Sequence, residues 1–419
     1  MADILFAFDP ALDRPVPVPE AAPADVTAAV ARAAADAFDA VVTAARSAGS
    51  SALVLCGRVL DPRRASPAQA AELRKQITTL ASHGCATVFM TDDPADCAEL
   101  VRMLGEPAGL RFVTPHAPLV LDVGGLDVEL ALASSRTAAA DLTTTSGAPL
   151  HRRIVVGWDD AFWQRDRWDG DGRTAASVDP ATFAAAAAAS PTWSHPGTLL
   201  VWASRGRQSL PPGMRMLHAV QARGQHEAAA GSCHGLTLLD RSAPPTDPES
   251  AALRVAPHAD WRSSWREIPT HRVTWRTLGI DSPAGGDEEL ATAIWSGLES
   301  LTPAAHAPVE IVSCSIACGT SVARRVRVAE IAAETLARVR QLYDPKTFRV
   351  WCRDLVADPG ESLAPLGHTR SGSRPGTTTS FSSALADIVA GLEQSPAPPI
   401  PADLAREAGW LALELVEST

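Results

Sequence analysis

Five aspartates, Asp9, Asp61, Asp92, Asp93 and Asp96, have the chemistry to hold one hard divalent cation such as Mg²⁺ or Mn²⁺, which prefers carboxylate oxygen. The competing reading is ordinary loop, turn and cap residues, where Asp serves by bonding nearby backbone amides. Nothing in their spacing fixes convergence. His226, Cys233 and His234 fall within nine residues, and Cys314 and Cys318 lie four apart. Neither group has the paired spacing of a zinc site. Two cysteines four apart on a strand share one face and read as core. Cys233 with His234 has the residue types of a nucleophile and base, but adjacent residues seldom point at each other. Arg262, Arg266, Arg272 and Arg276, interleaved with Trp261, Trp265 and Trp275, would suit base stacking and phosphate contact. The alternative is a connector between domains in which the Trp rings pack and the Arg residues pair with acids.

These residues are placed by alternating elements. Residues 4–8 (ILFAF) read as a strand, and a helix from Asp25 to Ser47 carries Val26, Val30, Ala34, Phe38 and Val41 on one stripe. Ser51 to Cys56 is a buried-type strand, Ser66 opens a helix with Leu73, Ile77 and Leu80, and Ala86 to Met90 is a third strand. That β-α-β-α-β order predicts a parallel or mixed sheet with ligands at the carboxyl ends of its strands, here Asp9, Gly57 and Thr91. Shorter strands follow at Leu119 to Val123, Val128 to Leu132, Ile154 to Val156, Leu199 to Ala203, Leu236 to Leu239 and Leu253 to Ala256. After the connector Trp261 to Trp275 the pattern changes. It becomes helix 287–301, strand Val309 to Ile316, helix 328–342, strand Phe348 to Leu355, a Gly/Ser/Thr/Pro-rich loop 370–379 and two closing helices. The helix from Val328 to Leu342 has Ile331, Leu336 and Val339 on one stripe, which suits packing on its own domain.

The expected division is therefore 1–268 for a main domain and 269–419 for a smaller α+β domain. A chain of 419 residues suits two or three domains. A net charge of -11 argues against nucleic-acid binding through bulk electrostatics, although a local basic face stays open. No apolar run is long enough to span a bilayer and the start lacks a leader pattern, so the expectation is a cytoplasmic protein with no membrane partner. Seven cysteines at irregular spacings do not form a disulfide framework. Lys75 and Lys346 are the only lysines, and the run Ala184 to Ala189 reads as helix filler.

At the strand ends the chain resembles the calcineurin-like metallophosphoesterases of the SbcD and YhaO exonuclease branch. Asp-Pro-Ala-Leu-Asp at 9–13 is similar to that family's D-L-H-L-D, Val54 to Asp61 (VLCGRVLD) to its V-L-x-x-G-D-x-x-D, and Met90-Thr91-Asp92-Asp93-Pro94 to its G-N-H-D-P. Gln221-Ala222-Arg223, Glu227 and Gly235 to Leu239 resemble the Q-G-R-x-x-x-E and G-C-x-L-V stretch, the most specific match. Val273 to Arg276 resembles the passage into the capping domain. The resemblance implies a two-layered β-sandwich flanked by helices with a C-terminal α+β capping domain. It also implies a role with DNA ends, a long coiled-coil ATPase of the SbcC type as partner, and a homodimer.

The departures fall on the metal ligands. A two-metal phosphodiesterase holds its cations about 3.5 to 4 Å apart with converging Asp, His and Asn. The family's first His is here Ala11, its bridging Asp is Arg58, and its Asn and His are Thr91 and Asp92, while Asp93 keeps the last acid. The fourth His position is Trp158, and the G-H-x-H region, Leu200 to Arg207, has no histidine. A cation in place of an anion about 4 Å from a divalent ion turns attraction into repulsion of roughly 8 kcal/mol at an effective dielectric of 20. The expectation is thus a degenerate site at Asp9, Ala11, Arg58, Thr91, Asp92, Asp93 and Trp158, with no cofactor and a scaffolding role related to DNA repair. Two alternatives stand beside it: an active phosphodiesterase with a remodelled Mn²⁺ or Mg²⁺ site on Asp9, Asp92 and Asp93, and a nucleic-acid-binding module without chemistry.

Overall fold

The structure, a computed structural model, describes residues 3–91, 94–133, 152–158, 180–189, 198–204, 209–224, 227, 231–240, 261–280, 287–301, 307, 309–317, 326, 329–343 and 350–358. The first part alternates β1 (Ile4–Phe8), α1 (Ala24–Ala48), β2 (Ala52–Cys56), α2 (Pro67–Ser82), β3 (Ala86–Met90), α3 (Pro94–Leu104) and β4 (Leu110–Val113). Local signals set the helix ends. Ser66 and Gln69 form a reciprocal capping box with Pro67 in the first turn, and α1 stops at Gly49, whose φ of 63° suits a left-handed cap. The four strands are parallel neighbours, and two later strands, β10 (Ser232–Asp240) and β11 (Trp261–Pro269), extend the sheet antiparallel from the other side of β1.

A second sheet has the order β5 (Leu119–Val123), β6 (Leu126–Ala133), β7 (Arg153–Trp158), β8 (Thr198–Ser204) and β9 (Met214–His218). Its first two strands form a hairpin closed by Gly124 and Gly125, both at positive φ as a two-residue turn requires. The other pairs are parallel. Residue parity explains the layers. Ile4, Phe6, Phe8, Val54 and Val88 meet Val128, Leu130, Ile154, Val156 and Val201 in one core between the two sheets. Leu5, Leu53, Leu55 and Phe89 point the other way, against Phe38 and Val41 of α1 and Leu73, Ile77 and Leu80 of α2. On the far side of the second sheet Val155 and Trp202 pack against Phe183 of α4 (Pro180–Ala189). Each such side chain, fully buried, contributes about 1.5 to 3 kcal/mol of transfer free energy.

The third sheet is β12 (Val273–Ile280), β13 (Val309–Ala317) and β14 (Val350–Asp358), linked through α5 (Asp287–Glu299) and α6 (Ala329–Gln341). All of its pairs are parallel, so the described part is a β-α-β-α-β unit. Helices and strands alternate here in the order read from the sequence, and the pairing adds that the strands run parallel. One face packs under α5 and α6 through Ile294, Leu298, Val312, Cys314 and Val339. On the opposite face Val273, Trp275, Ile311 and Trp351 share a cluster with Val26 and Val30 of α1.

The Trp/Arg-rich stretch Trp261 to Trp275 does lead from the first sheet to the third, but as regular strands: it forms β11 and the start of β12, joined by a short link at residues 270–272. The strand at Leu253 to Ala256, the loop 370–379 and the two closing helices lie outside the described residues. No helix among the described residues is long and apolar enough to cross a membrane.

Candidate functional site

Register aligns the first three strand ends. Phe8 pairs with Cys56 and Cys56 with Met90, so Asp9, Gly57 and Thr91 leave the sheet side by side. Asp9 donates its backbone N–H to the Cys56 carbonyl at 2.9 Å, and Ala11 and Leu12 donate to the carbonyls of Arg58 and Val59 at the same distance. The loop after β1 thus continues the ladder past the strands. Its path needs left-handed backbone, with φ of 50° at Asp9 and 42° at Ala11, and Gly57, the first residue after β2, has a φ of 77°. Only glycine adopts such angles freely, and non-glycine residues held there mark a loop fixed by its surroundings.

The second sheet brings its strand ends to the same edge. Phe8 and Ala219 form a parallel bridge and Val220 donates to the Phe8 carbonyl at 3.0 Å, so β9 runs in the direction of β1. Since β7, β8 and β9 are parallel, Trp158, Ser204 and His218 end where Asp9 does. His218 had no signal in the sequence because Arg215 breaks the apolar run of β9, MRMLH, and Ser204, at the end of the legible strand β8, is a residue type with no ligand signal of its own.

The side chains at this edge are mixed in character. Asp9 is 1 % exposed. Ala11 is fully buried and has no donor atom, and Trp158 is a core residue of the sandwich. Arg58 is half-buried with its Nη1 sealed from solvent. Asp13 accepts from the Asp61 N–H at 3.0 Å and Asp61 from the Arg63 N–H at 2.9 Å, so both acids brace loops. Asp96 lies in the first turn of α3, where an acid suits the helix dipole. Asp92 and Asp93 lie outside the described residues. Among the described residues no three His, Cys, Asp or Glu side chains gather as metal ligands.

The other candidates are distributed through the core. Cys233 packs on the helix side of the first sheet, and burial pushes its thiol up to about 12. His234 points into the opposite face, where its ring stacks on Trp265 with centroids 5.1 Å apart and lies 6.5 Å from His218. Burial lowers its pKa to about 4, with Glu267 acting in the other direction and His218 in the same one. Cys314 lies 3.6 Å from Cys352, Sγ to Sγ. That hydrogen bond, with burial, pushes the Cys314 thiol above its ordinary range. His226 and Cys318 lie outside the described residues.

Several of the arginine and tryptophan residues are tied into the fold. Trp275 is buried and donates its Nε1–H to the Ala222 carbonyl at 3.3 Å, while the Arg353 guanidinium sits 5.5 Å above its ring. Arg276 Nε lies 2.7 Å from Oε1 of the buried Glu310, and burial still raises the pKa of that carboxyl against the pull of Arg276. Arg272 reaches the Asp36 carbonyl with Nε at 3.3 Å. Arg266 is exposed on β11, and Arg262 has only its backbone described, paired with Leu239.

Gln221, Arg223 and Glu227 turn out to hold this edge together. Arg223 Nη2 donates to the carbonyls of Pro10 and Ala11 at 3.0 Å each, and its other terminal nitrogen donates to the Arg14 carbonyl. Glu227 Oε2 accepts from the Arg223 backbone N–H at 2.8 Å. The sequence marks these residues through the family-like motif, but their backbone partners become visible only in the fold. Compared with known proteins, the chain matches no family model and no curated sequence.

Proposed function

We propose that this chain is a pseudonuclease: a metallophosphoesterase-type sandwich resembling the SbcD exonuclease subunit, kept as a scaffold related to DNA repair. What carries the reading is the row of strand ends set by Phe8, Cys56 and Met90, which brings Asp9, Gly57 and Thr91 side by side; the resemblance equates these strand ends with that family's metal-ligand loops. The two mixed, largely parallel layers sharing one core support the same family.

The described residues at this edge do not fit a pair of divalent cations. Ala11 offers no lone pair, Trp158 fills the core, and Arg58 brings a cation with a solvent-sealed nitrogen to the place of a bridging carboxylate. Carboxylate and imidazole ligands must converge to hold two such ions. No phosphodiester cleavage is therefore derived for this site. The role is one of assembly, with a coiled-coil ATPase of the SbcC type as partner and a second copy of the chain as its mate. The direct test is a nuclease assay on single- and double-stranded DNA ends with Mn²⁺ or Mg²⁺. No cleavage above the metal-only blank is expected; metal-dependent cleavage lost in Asp9→Ala overturns the reading.

A further inference from the structure

One segment, Val220 to Arg223, touches both the loop after β1 and the first residues of β12. Val220 donates to the Phe8 carbonyl, and its own carbonyl accepts from Thr270 Oγ1 at 2.8 Å. Gln221 is 0 % exposed, and its carboxamide is used at both ends. Nε2 donates to the carbonyls of Ala222 and Val273 at 2.8 Å each, and Oε1 accepts from the N–H groups of Arg272 at 2.8 Å and Val273 at 3.4 Å. Trp275 adds its bond to the Ala222 carbonyl. Two residues on, Arg223 clamps the carbonyls of Pro10, Ala11 and Arg14. Val16 from the same loop joins Ala222, Val273, Trp275 and Trp351 in one apolar cluster.

These bonds leave little slack. Leaving a buried donor or acceptor unsatisfied costs about 1 to 3 kcal/mol, so β12 cannot shift without moving the Gln221 carboxamide or breaking its bonds. The segment in turn cannot shift without moving the Arg223 fork. That fork grips the loop that holds Asp9 and Ala11 at positive φ, a conformation that persists only where its surroundings over-determine it. We infer that Val220 to Arg223 is a coupling element: the position of the third sheet sets the conformation of the loop after β1, and the loop sets the stiffness of the β12 joint. A partner that displaces the third sheet thereby releases the candidate site's first loop. The inference takes from the proposed function only that this loop walls the site, and its test reads neither metal nor cleavage.

Coupling is reciprocal, so it is read from both ends by hydrogen exchange on the full chain. Arg223→Lys loosens the loop end without touching the acceptor of the Arg272 and Val273 amides. Trp275→Phe loosens the β12 end without touching the acceptors of the Ala11 and Leu12 amides, which are the Arg58 and Val59 carbonyls. Arg223→Lys should speed exchange at Arg272 and Val273, and Trp275→Phe at Ala11 and Leu12, each by about fivefold or more. Amides in β2 and β3 should stay protected. If one variant loosens the whole fold, the other carries the test. Exchange that rises only at each variant's own end overturns the inference, and so does a uniform rise through β2 and β3 in both.

Discussion

Ala11 donates its backbone N–H to the carbonyl of Arg58 at 2.9 Å while held at a φ of 42°. Ala11 is thus pinned to the loop after β2 in a left-handed conformation. For an L-residue that conformation costs roughly 1 to 2 kcal/mol, which glycine avoids. Ala11→Gly should therefore leave the melting temperature unchanged or raise it. Ala37→Gly, inside α1, should lower it, as glycine in a helix interior does. A loss at Ala11 as large as that at Ala37 would show that the loop is not strained.

Arg58 supplies a cation at an edge where Asp9 is buried. Removing one partner of a buried ion pair costs about 3 to 5 kcal/mol, whereas an exposed pair is worth about 1 or less. Arg58→Ala should lower the melting temperature at neutral pH well beyond Arg63→Ala, a change at an exposed position. Added Mn²⁺ should restore part of the loss by neutralising the acids left behind. Equal melting of the two variants, with or without Mn²⁺, would place Arg58 outside the charge balance of the site.

His234 makes stability depend on acid. Its Nδ1 is sealed from solvent without a hydrogen bond, and burial holds its pKa at about 4. An unfolded histidine titrates near 6.5, so between those values the folded state binds fewer protons than the unfolded one. The contribution is present above about pH 6.5 and is lost as pH falls through about 4, on the order of 3 kcal/mol in all. His234→Phe, which keeps a ring against Trp265, should flatten the melting curve across that window. An unchanged slope would assign the acid sensitivity elsewhere.

Glu129 and Arg153 face each other across β6 and β7, with Arg153 Nη2 2.5 Å from Glu129 Oε2 and Glu129 1 % exposed. Arg153→Met would leave a buried carboxylate without its cation, at a cost of about 3 to 5 kcal/mol. The double variant Glu129→Leu with Arg153→Met should recover most of that loss. A double variant as unstable as Arg153→Met alone would show that the pair is not the source of the cost.

The sequence located β1, β2 and β3 to within a residue because strands covered on both faces read as unbroken apolar runs, and it located α1 and the start of α2 through an apolar stripe and the Ser66 cap. Asp9, Gly57 and Thr91 followed as strand ends. Other parts depend on long-range pairing. β11, WRSSWREIP, carries little apolar signal, and among its described side chains Trp265 and Ile268 are the ones that turn into the cores. β9, MRMLH, is broken by Arg215 and only partly buried, so it lacks an apolar run and its terminal His218 carries no signal. The parallel order of the third sheet comes from register that no local pattern contains. The work of Gln221 was invisible for a similar reason: a carboxamide reads as polar until the backbone groups that face it are known.

The central claim is that Ala11, Arg58, Thr91 and Trp158 have replaced a binuclear metal centre. Elemental analysis of the chain purified with added Mn²⁺ tests it most directly. The account predicts less than one Mn²⁺ per molecule, unchanged in Asp9→Ala. Two Mn²⁺ per molecule, lost in Asp9→Ala, would contradict it.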